Sequence, residues 1–562
     1  MIKETYPSGR VGQNEFEADG DLSRIYGKAT TNATERTYAN SFSYTADGRI
    51  EKLKLGNGLW ESAKFNTRLQ VTELALGIGV NDASRFKLNY DYGELNADGT
   101  VDVNKNTGNI AKQTVSFAGL QNPFVQSFKY DSLYRLIEAK ETVGTNPTPT
   151  WKQNFGYDRF GNRIGFINEI NGQVQTNTNL THPSIDANTN RFNLNQGYIF
   201  DKNGNLTTDA QNRNFIFNGE NKQTEVRDAN NPNPQTNVIG RYYYDGEGKR
   251  VKKVTNTEIT VFVYSNGKLV AEYSTLPPPQ NPTTSYTMTD QLDSPRVITN
   301  ALGEVTSRRD FKPFGEELPT DINYRTPNRK YGVSDNVRQR FTGYQKDTET
   351  QLDFAEARMY QNLHGRFTAV DPLLASGKSA NPQTFNRYVY CLNNPVVIID
   401  PTGMMPDDWY IKDDGNIEVV RTDDAFDRFF VWDENQKGYI NKAELAKNEN
   451  GLVEFPQSGY GFTSYNSFEN GKNVEPGGSD NVVKEQTGTG DHWVQPIVAA
   501  ALFGFTNQLK NDYGTTLALG DMSSSNGSDP WNPNDLFGSN HGHHGGHGHF
   551  KDRTGLDIDF TP

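Results

Sequence analysis

The sequence predicts a mainly β protein whose first part consists of repeated hairpins and whose C-terminal part is a smaller α+β domain. Two observations lead to this prediction. Of the 562 residues, 34% are hydrophobic and 12% aromatic, and the 52 glycines and 26 prolines indicate many strands and turns. A short pattern of an aromatic residue, Asp or Asn, and Gly recurs at spacings near 20 residues or twice that, which is typical of stacked repeats.

Each copy of this pattern predicts one hairpin. The aromatic residue ends a strand, the Asp and Asn side chains bond to the local backbone in the turn, and Gly supplies a positive φ. Because a single two-stranded hairpin is marginally stable in water, the copies are expected to pack side by side. The clear copies begin at Tyr157, Phe200, Phe217, Tyr244 and Tyr264, and the weaker copies begin at Tyr44, Tyr90 and Tyr130.

Composition excludes several classes of protein. The formal net charge of -13, with no long basic stretch, argues against nucleic acid as a partner. The single cysteine, Cys391, has no second thiol with which to form an internal disulfide. No apolar run approaches the roughly 20 residues of a membrane-spanning helix, so no transmembrane segment is expected. The first residues lack the pattern of a signal peptide, so no export signal is expected in this sequence.

The hairpin pattern resembles the YD repeats of the RHS family, and the blocks that follow it resemble the RHS repeat-associated core. These blocks are Asp-Gln-Leu-Asp-Ser-Pro-Arg from Asp290, Phe-Lys-Pro-Phe-Gly-Glu-Glu from Phe311, Phe-Thr-Gly-Tyr-Gln-Lys-Asp from Phe341 and His-Gly-Arg-Phe-Thr-Ala-Val-Asp-Pro from His364. The resemblance covers roughly residues 1–404. It implies a spiralling hairpin shell at 1–285, the core at 286–404 and a variable effector-like domain at 405–562. The family usually has Gly where this sequence has Asp293, so that turn is expected to be altered.

A rival hypothesis needs no catalysis. Periodicity alone fits a β-solenoid or a surface adhesin equally well. In this alternative the protein is a cell-surface YD-repeat scaffold whose exposed Tyr and Trp side chains stack on carbohydrate.

The segment before residue 405 resembles the boundary motif of the RHS family. It reads Asn-Pro-Val-Val-Ile-Ile-Asp-Pro-Thr-Gly-Met and contains Asp400. The resemblance implies self-cleavage between Met404 and Met405 by aspartates that act like an aspartic protease. Asp371 matches one of these aspartates, and Asp400 is the other candidate. Two carboxylates that share a proton can supply an acid and a base. The alternative is that the Asp-Pro dipeptides only shape turns.

The region after residue 405 predicts short strands followed by one helix. Asp433, Asn435, Gly438, Asn441 and Glu444 have the spacing of a calcium-binding EF-hand loop. However, Lys437 occupies a ligand position and the preceding Arg-Phe-Phe-Val-Trp is strand-like, so a hairpin is favoured.

The helix is predicted from Ile497 to about Asn511. Its Phe503, Phe505 and Leu509 side chains are expected to face a core.

Five of the eight histidines lie between His541 and His549, and Asp557 and Asp559 follow. Together with an upstream Gly-Asp-Met, this stretch resembles the LAS metallopeptidases, particularly the penicillin-insensitive murein endopeptidases. The resemblance implies a zinc cofactor that activates water for hydrolysis of peptidoglycan. Its implied metal ligands are His549, Asp552 and Asp559, with His547 as an alternative. The family's later His-x-His is missing, so this site is expected to be incomplete. A Gly/His tail that binds metals adventitiously is the alternative.

The resemblances together imply a bacterial polymorphic toxin. The shell would enclose the C-terminal effector, the core would cut the chain after Met404, and the effector would act as a zinc peptidase. The expected partners are peptidoglycan or a cell-surface glycan and an immunity protein. The expected location is the cell surface or the exterior.

Overall fold

A computed structural model describes most of the first 403 residues and parts of the remainder. The described residues are 3–18, 20–46, 48–80, 82–178, 180–246, 248–265, 268–277, 284–320, 322, 324–371, 386–403, 407–411, 417–421, 427–433, 438–445, 453–456, 458–459, 462–464, 467–469, 472–474, 493–494, 496–519 and 560–561. The chain divides into two compact units, Met1–Gly403 and Met404–Pro562. Antiparallel pairs dominate the sheets of both units, which confirms the mainly β prediction.

The first 174 residues form sixteen strands. They are β1 Lys3–Thr5, β2 Val11–Phe16, β3 Leu22–Lys28, β4 Arg36–Tyr44, β5 Ile50–Leu55, β6 Trp60–Phe65, β7 Val71–Gly77, β8 Phe86–Tyr92, β9 Glu94–Leu95, β10 Val101–Asp102, β11 Ile110–Ser116, β12 Phe124–Tyr130, β13 Leu136–Val143, β14 Trp151–Tyr157, β15 Arg163–Ile170 and β16 Gln173–Val174. Fourteen of them form one sheet in chain order, while β9 and β10 pair with each other as a small separate hairpin.

A second run of hairpins follows. Its strands are β17 Ile185–Asp186, β18 Arg191–Phe192, β19 Ile199–Phe200, β20 Leu206–Thr208, β21 Arg213–Phe217, β22 Gln223–Asp228, β23 Val238–Tyr244, β24 Arg250–Thr255, β25 Ile259–Ser265 and β26 Lys268–Ser274. Strands β19 to β26 form an eight-stranded sheet in chain order, and β17 pairs with β18.

The repeat has a direct structural cause. Asp158 Oδ1 accepts hydrogen bonds from the backbone N–H groups of Phe160 and Asn162 at 2.8 and 2.9 Å, and Gly161 has a φ of +74°. The Tyr157 hydroxyl donates to the carbonyl oxygen of Leu136 in the preceding hairpin at 2.8 Å. Equivalent hydroxyl-to-carbonyl bonds join Tyr44 to Leu22, Tyr130 to Ile110 and Tyr244 to Gln223. These bonds tie each hairpin to its predecessor, which explains the spacing of about 20 residues.

The hairpin prediction is confirmed for all five clear copies and for Tyr44 and Tyr130. It is wrong for Tyr90. That residue lies inside β8, opposite Gln113, and is only 2% exposed, because its ring belongs to the apolar core. The strand continues to Tyr92, and the small hairpin of β9 and β10 comes before β11.

Residues 286–403 add two smaller sheets. Their strands are β27 Tyr286–Thr289, β28 Pro295–Thr299, β29 Val305–Arg308, β30 Gln345–Asp347, β31 Leu352–Ala355, β32 Arg358–Gln361 and β33 Arg366–Phe367. The largest apolar cluster joins Phe124 and Trp151 of the first sheet to Met288, Phe314 and Tyr331 of this region. The region is therefore packed on the hairpins as part of one unit.

The turn at Asp293 keeps a left-handed conformation. Asp293 has a φ of +61°, and its N–H donates to the carbonyl oxygen of Asp290 at 3.1 Å. Glycine adopts this conformation readily, and aspartate is one of the few other residues that tolerate it. The substitution therefore leaves the turn in the backbone conformation that glycine favours.

The second unit contains short strands and one described helix. They are β34 Asp407–Ile411, β35 Ile417–Arg421, β36 Asp427–Asp433, β37 Gly438–Leu445, β38 Val453–Glu454, β39 Ser458–Gly459, β40 Phe462–Ser464, β41 Ser467–Glu469, β42 Lys472–Val474, β43 Trp493–Val494, α1 Pro496–Tyr513, β44 Leu517–Leu519 and β45 Phe560–Thr561. Strands β36 and β37 pair antiparallel, with Asp433 opposite Gly438. The hairpin interpretation is therefore confirmed here, since an EF-hand loop lies between two helices.

The helix is confirmed, but one of its predicted core residues is wrong. Ala499, Leu502, Phe503 and Thr506 are buried, and their three- and four-residue spacing defines one face. Phe505 falls on the opposite face and is 51% exposed. Among the described residues, no helix has both the length and the apolar character that a membrane crossing requires.

Candidate functional site

One arginine brings the two predicted catalytic aspartates together. Arg358 is the first residue of β32, and its Nη2 lies 2.9 Å from Asp400 Oδ2 and 3.3 Å from Asp371 Oδ2. All three side chains are buried, with exposed fractions of 3% for Arg358, 6% for Asp371 and 0% for Asp400. The arrangement is a carboxylate–guanidinium–carboxylate cluster, which we call the Arg358 cluster.

Local structure fixes the guanidinium. Ala355 pairs with Arg358 across the tight turn between β31 and β32. The guanidinium carbon lies 3.6 Å from the ring centroid of Phe367, so one face of the cation rests on an aromatic surface. Nη1 donates to the carbonyl oxygen of Arg387 at 3.1 Å. These contacts leave Nε and Nη2 directed at the end of the first unit and at the aspartates.

Asp371 is held by the segment that begins at residue 386. Its N–H donates to the carbonyl oxygen of Arg387 at 3.0 Å, and the Arg387 side chain donates back to the carbonyl oxygen of Asp371. Burial lowers the pKa of Arg387, and the nearby Asp371 carboxylate opposes that shift. A second guanidinium group, that of Arg387, therefore lies beside the Arg358 cluster.

The predicted boundary motif folds back onto the same arginine. Arg358 Nε donates to the carbonyl oxygen of Gly403 at 2.5 Å, and the Ala357 N–H donates to that of Thr402 at 3.0 Å. The hydroxyl of Tyr344 donates to the carbonyl oxygen of Asp400. Gly403 has a φ of +67°, and a Cβ there would lie 2.5 Å from the Ala355 carbonyl oxygen. Only glycine fits this position without displacement.

Two of the four residues predicted for the cleavage site lie close together. The structure brings Asp371 and Asp400 to one cation, a partner that sequence reasoning missed. The signal for Arg358 was its place in the core block Ala-Glu-Ala-Arg-Met-Tyr, because a buried arginine in such a block needs a carboxylate partner. The predicted cleavage residues Met404 and Met405 lie outside the described residues.

The predicted zinc ligands His547, His549, Asp552 and Asp559 also lie outside the described residues. Within the described part of the chain, no group of three or more His, Cys, Asp or Glu side chains is placed to hold a metal ion. The zinc site therefore stays a prediction from the sequence.

Comparison with known proteins identifies relatives of the chain. The tRNA nuclease WapA of Bacillus subtilis is 25% identical over 401 residues, covering 66% of this chain and 15% of that protein. The tRNA3(Ser)-specific nuclease WapA of Bacillus spizizenii gives the same identity and the same coverage. This chain is similar to the WapA nucleases over about two thirds of its length. It spans about 15% of the length of these two relatives. No family model matches the chain.

Comparison of structures finds chains with a similar fold. The crystal structure of TcdB2–TccC3 matches 72% of this chain and 21% of that chain with a TM-score of 0.57 and 18% sequence identity. At this identity the match establishes the fold. The fold of this chain is thus shared with part of the TcdB2–TccC3 structure.

Proposed function

We propose that the chain is a toxin-type RHS protein in which residues 1–403 carry a C-terminal effector and the Arg358 cluster releases it by cleavage after Met404. One observation carries the proposal. Asp371, Asp400 and the carbonyl group of Gly403 all bind the guanidinium of Arg358, and the boundary between the two compact units follows Gly403 directly. The relationship to the WapA nucleases supports an effector-bearing toxin.

The cluster suits peptide hydrolysis. Arg358 holds Gly403 and both carboxylates, so the next peptide group would enter beside two acidic side chains. One aspartate would take a proton from water, and the resulting hydroxide would attack the carbonyl carbon of Met404. The other aspartate, which carries the proton that the pair shares at the start of the step, would give it to the amide nitrogen of Met405 as the C–N bond breaks. Arg358 is a positioning residue in this scheme because it orients the carboxylates and the chain.

Intact mass under denaturing conditions tests this proposal. We expect two fragments that meet between Met404 and Met405 in the natural chain and one uncut chain in Asp371→Asn and Asp400→Asn. Asp353→Asn is the matched control, since Asp353 is a buried core aspartate that bonds Asn362. Fragments in either aspartate variant, or an uncut natural chain, would contradict the proposal. An uncut chain would favour the scaffold hypothesis, in which glycan binding persists after deletion of about the last 60 residues.

For the effector, we propose a zinc-binding domain of the kind that the murein-endopeptidase resemblance implies, which would hydrolyse peptidoglycan when the family's later His-x-His completes the site. Three protein ligands with an open water position would suit such chemistry. The test is zinc content per purified chain, compared with His549→Ala and Asp559→Asn. Stoichiometric zinc that both variants lose is expected. A natural chain without zinc, and with the same thermal stability in the presence of a chelator, would contradict the proposal.

A nuclease effector is the second candidate, because the matched relatives are named as tRNA nucleases. Incubation of the chain with tRNA and, separately, with peptidoglycan distinguishes the two candidates. Cleaved tRNA with intact peptidoglycan would favour the nuclease. It would also overturn the prediction that nucleic acid is not a partner. An immunity protein and a location at the cell surface or outside the cell belong to the same proposal in either case.

A further inference from the structure

A basic pocket lies in the first unit, between the hairpins and the core. It is a narrow space that is partly open to solvent. Its ionisable lining consists of Arg163, His182, His364 and Arg366, and the amide side chain of Asn386 contributes to the same wall. We call this space the basic pocket. It is separate from the Arg358 cluster, since none of the three cluster residues lines it.

The two arginines of this pocket are buried and form no ion pair with any described residue. Arg163 is 8% exposed and donates through Nη2 to the carbonyl oxygen of Leu363 at 2.7 Å. Arg366 is 6% exposed and donates through Nη2 to the carbonyl oxygen of Asn190 at 2.6 Å. Within the described part of the chain, neither arginine forms an ion pair with a carboxylate.

Several other buried arginines of the unit are paired with carboxylates. Each of four buried guanidinium groups contacts at least one carboxylate within 4.0 Å. They belong to Arg250, Arg296, Arg325 and Arg358. Arg308 is an exception, since it is 8% exposed and donates to the carbonyl oxygens of Arg329 and Arg85. What distinguishes the basic pocket is that two such arginines, Arg163 and Arg366, line the same space.

Aromatic rings contact the guanidinium groups of both arginines. The guanidinium carbon of Arg163 lies 4.5 Å from the ring centroid of Phe166. That of Arg366 lies 4.6 Å from the ring centroid of Tyr388. Cation–π contacts are much weaker than the cost of burying an unpaired charge. Burial lowers the pKa of Arg366 to about 10, so it is still charged at neutral pH.

Neighbouring groups do not supply the missing negative charge. Burial lowers the pKa of His182 to about 4 and that of His364 to about 3, so both rings are neutral at pH 7. Burial also lowers the pKa of Arg163, and Glu316 opposes this shift only in part. Asp158 opposes the lowering of the pKa of Arg366 in the same way. Residues 372–385, which precede the Asn386 wall, contain no Asp or Glu.

We propose that the basic pocket binds a small inorganic anion, such as chloride or phosphate, between Arg163 and Arg366. A charge-assisted hydrogen bond to each guanidinium would replace the absent carboxylate. Arg163 is the first residue of β15 and Arg366 the first residue of β33, so the anion would join the hairpin sheet to the core. This inference is independent of the proposed cleavage and of the effector's chemistry.

The test measures thermal unfolding of the natural chain at constant ionic strength. Sodium gluconate is replaced stepwise by sodium chloride in one series and by sodium phosphate in another. We expect the unfolding midpoint to rise and to saturate in at least one series, and the series that saturates identifies the anion. Midpoints that stay constant, or that change without saturating, in both series would overturn the proposal, whether or not any variant folds.

Variants then locate the site. Arg163→Gln and Arg366→Gln are each expected to weaken anion affinity by about tenfold or more, because each removes one charge-assisted donor. Arg159→Gln is the matched control, since Arg159 is exposed in the turn before β15 and does not line the pocket. Saturation that is unchanged in both pocket variants would also overturn the proposal.

Discussion

The Nε of Arg358 donates a hydrogen bond to the carbonyl oxygen of Gly403 at 2.5 Å, and this bond ties the end of the first unit to its buried aspartates. A lysine could not make the same set of contacts. Arginine offers five N–H donors in a planar fork, whereas lysine offers one compact ammonium group. The fork therefore gives Arg358 a role in geometry as well as in charge.

We expect Arg358→Lys to slow cleavage at the Met404–Met405 bond by at least about tenfold and Arg358→Gln to abolish it. Lysine keeps the positive charge but loses a hydrogen bond to a charged group, which is worth about 1.5–3 kcal/mol. The measurement is the fraction of cut chain over time by intact mass, together with the unfolding midpoint of each variant.

A purely structural role would make the lysine variant unfold earlier while it still cuts at the natural rate. Equal cutting by Arg358→Lys and the natural chain would therefore remove Arg358 from the mechanism. Cutting by the Asp353→Asn control should match that of the natural chain throughout.

Gly403→Ala is expected to destabilise the first unit and to reduce cleavage. A Cβ at this position would approach the Ala355 carbonyl oxygen to 2.5 Å, and the φ of +67° adds strain of about 1–2 kcal/mol for alanine. Gly119→Ala separates the two effects, because Gly119 has a φ of +85° with no atom within 4 Å of its added Cβ. The control should lose stability through strain alone and still cut. Equal stability losses and equal cutting in both variants would contradict this prediction.

The sequence predicted the hairpins well because each hairpin depends on local chemistry. Asp158 bonds the backbone of its own turn, and the Tyr157 hydroxyl reaches the preceding hairpin, so the relevant residues recur at a regular spacing. The hairpin predicted at Tyr90 is absent for a related reason. Its local sequence imitates the pattern, but its ring is buried within the strand, which is a tertiary effect.

Only the two carboxylates of the candidate site could be predicted from the sequence. Asp371 and Asp400 lie in recognisable segments, but their meeting point depends on Arg358, which comes from a different hairpin. No feature of the sequence indicated the basic pocket. Arg163 and Arg366 are about 200 residues apart in the chain, and what distinguishes them is the lack of a carboxylate partner among the described residues, which only packing reveals.

Loss of Arg325 is expected to destabilise the first unit by about 3–5 kcal/mol. Its guanidinium binds both oxygens of Glu141 at 2.8 and 2.7 Å and Asp310 at 2.8 Å, and all three side chains have 0% exposure. Arg325→Leu would leave Glu141 buried without its cation and Asp310 with only Arg296 as its partner. The measurement is the midpoint of chemical unfolding.

Lys105→Ala is the matched control for this ion pair. Lys105 lies 2.8 Å from Glu94, but the two side chains are 55% and 61% exposed, so water replaces the lost contact. Its loss should cost less than about 1 kcal/mol. Similar costs for the buried and the exposed pair would show that the Arg325 network does not hold the core to the hairpins.

Asp353 is expected to make the first unit less stable as the pH rises from about 4 to about 6. Burial raises the pKa of Asp353 from 3.8 to about 6, which outweighs the opposing effects of Lys346 and of its bond from Asn362. Between these pH values the folded chain binds more protons than the unfolded chain, so stability falls as pH increases and then levels off.

An asparagine at position 353 tests this effect, because its side chain has no proton to lose. Asp353→Asn should match the natural chain near pH 4 and exceed its stability by roughly 3 kcal/mol at pH 7. Chemical unfolding of both proteins across this range checks the prediction, because every other group titrates alike in the two. A stability difference between the two proteins that stays constant with pH would show that Asp353 has the same pKa in the folded and the unfolded chain.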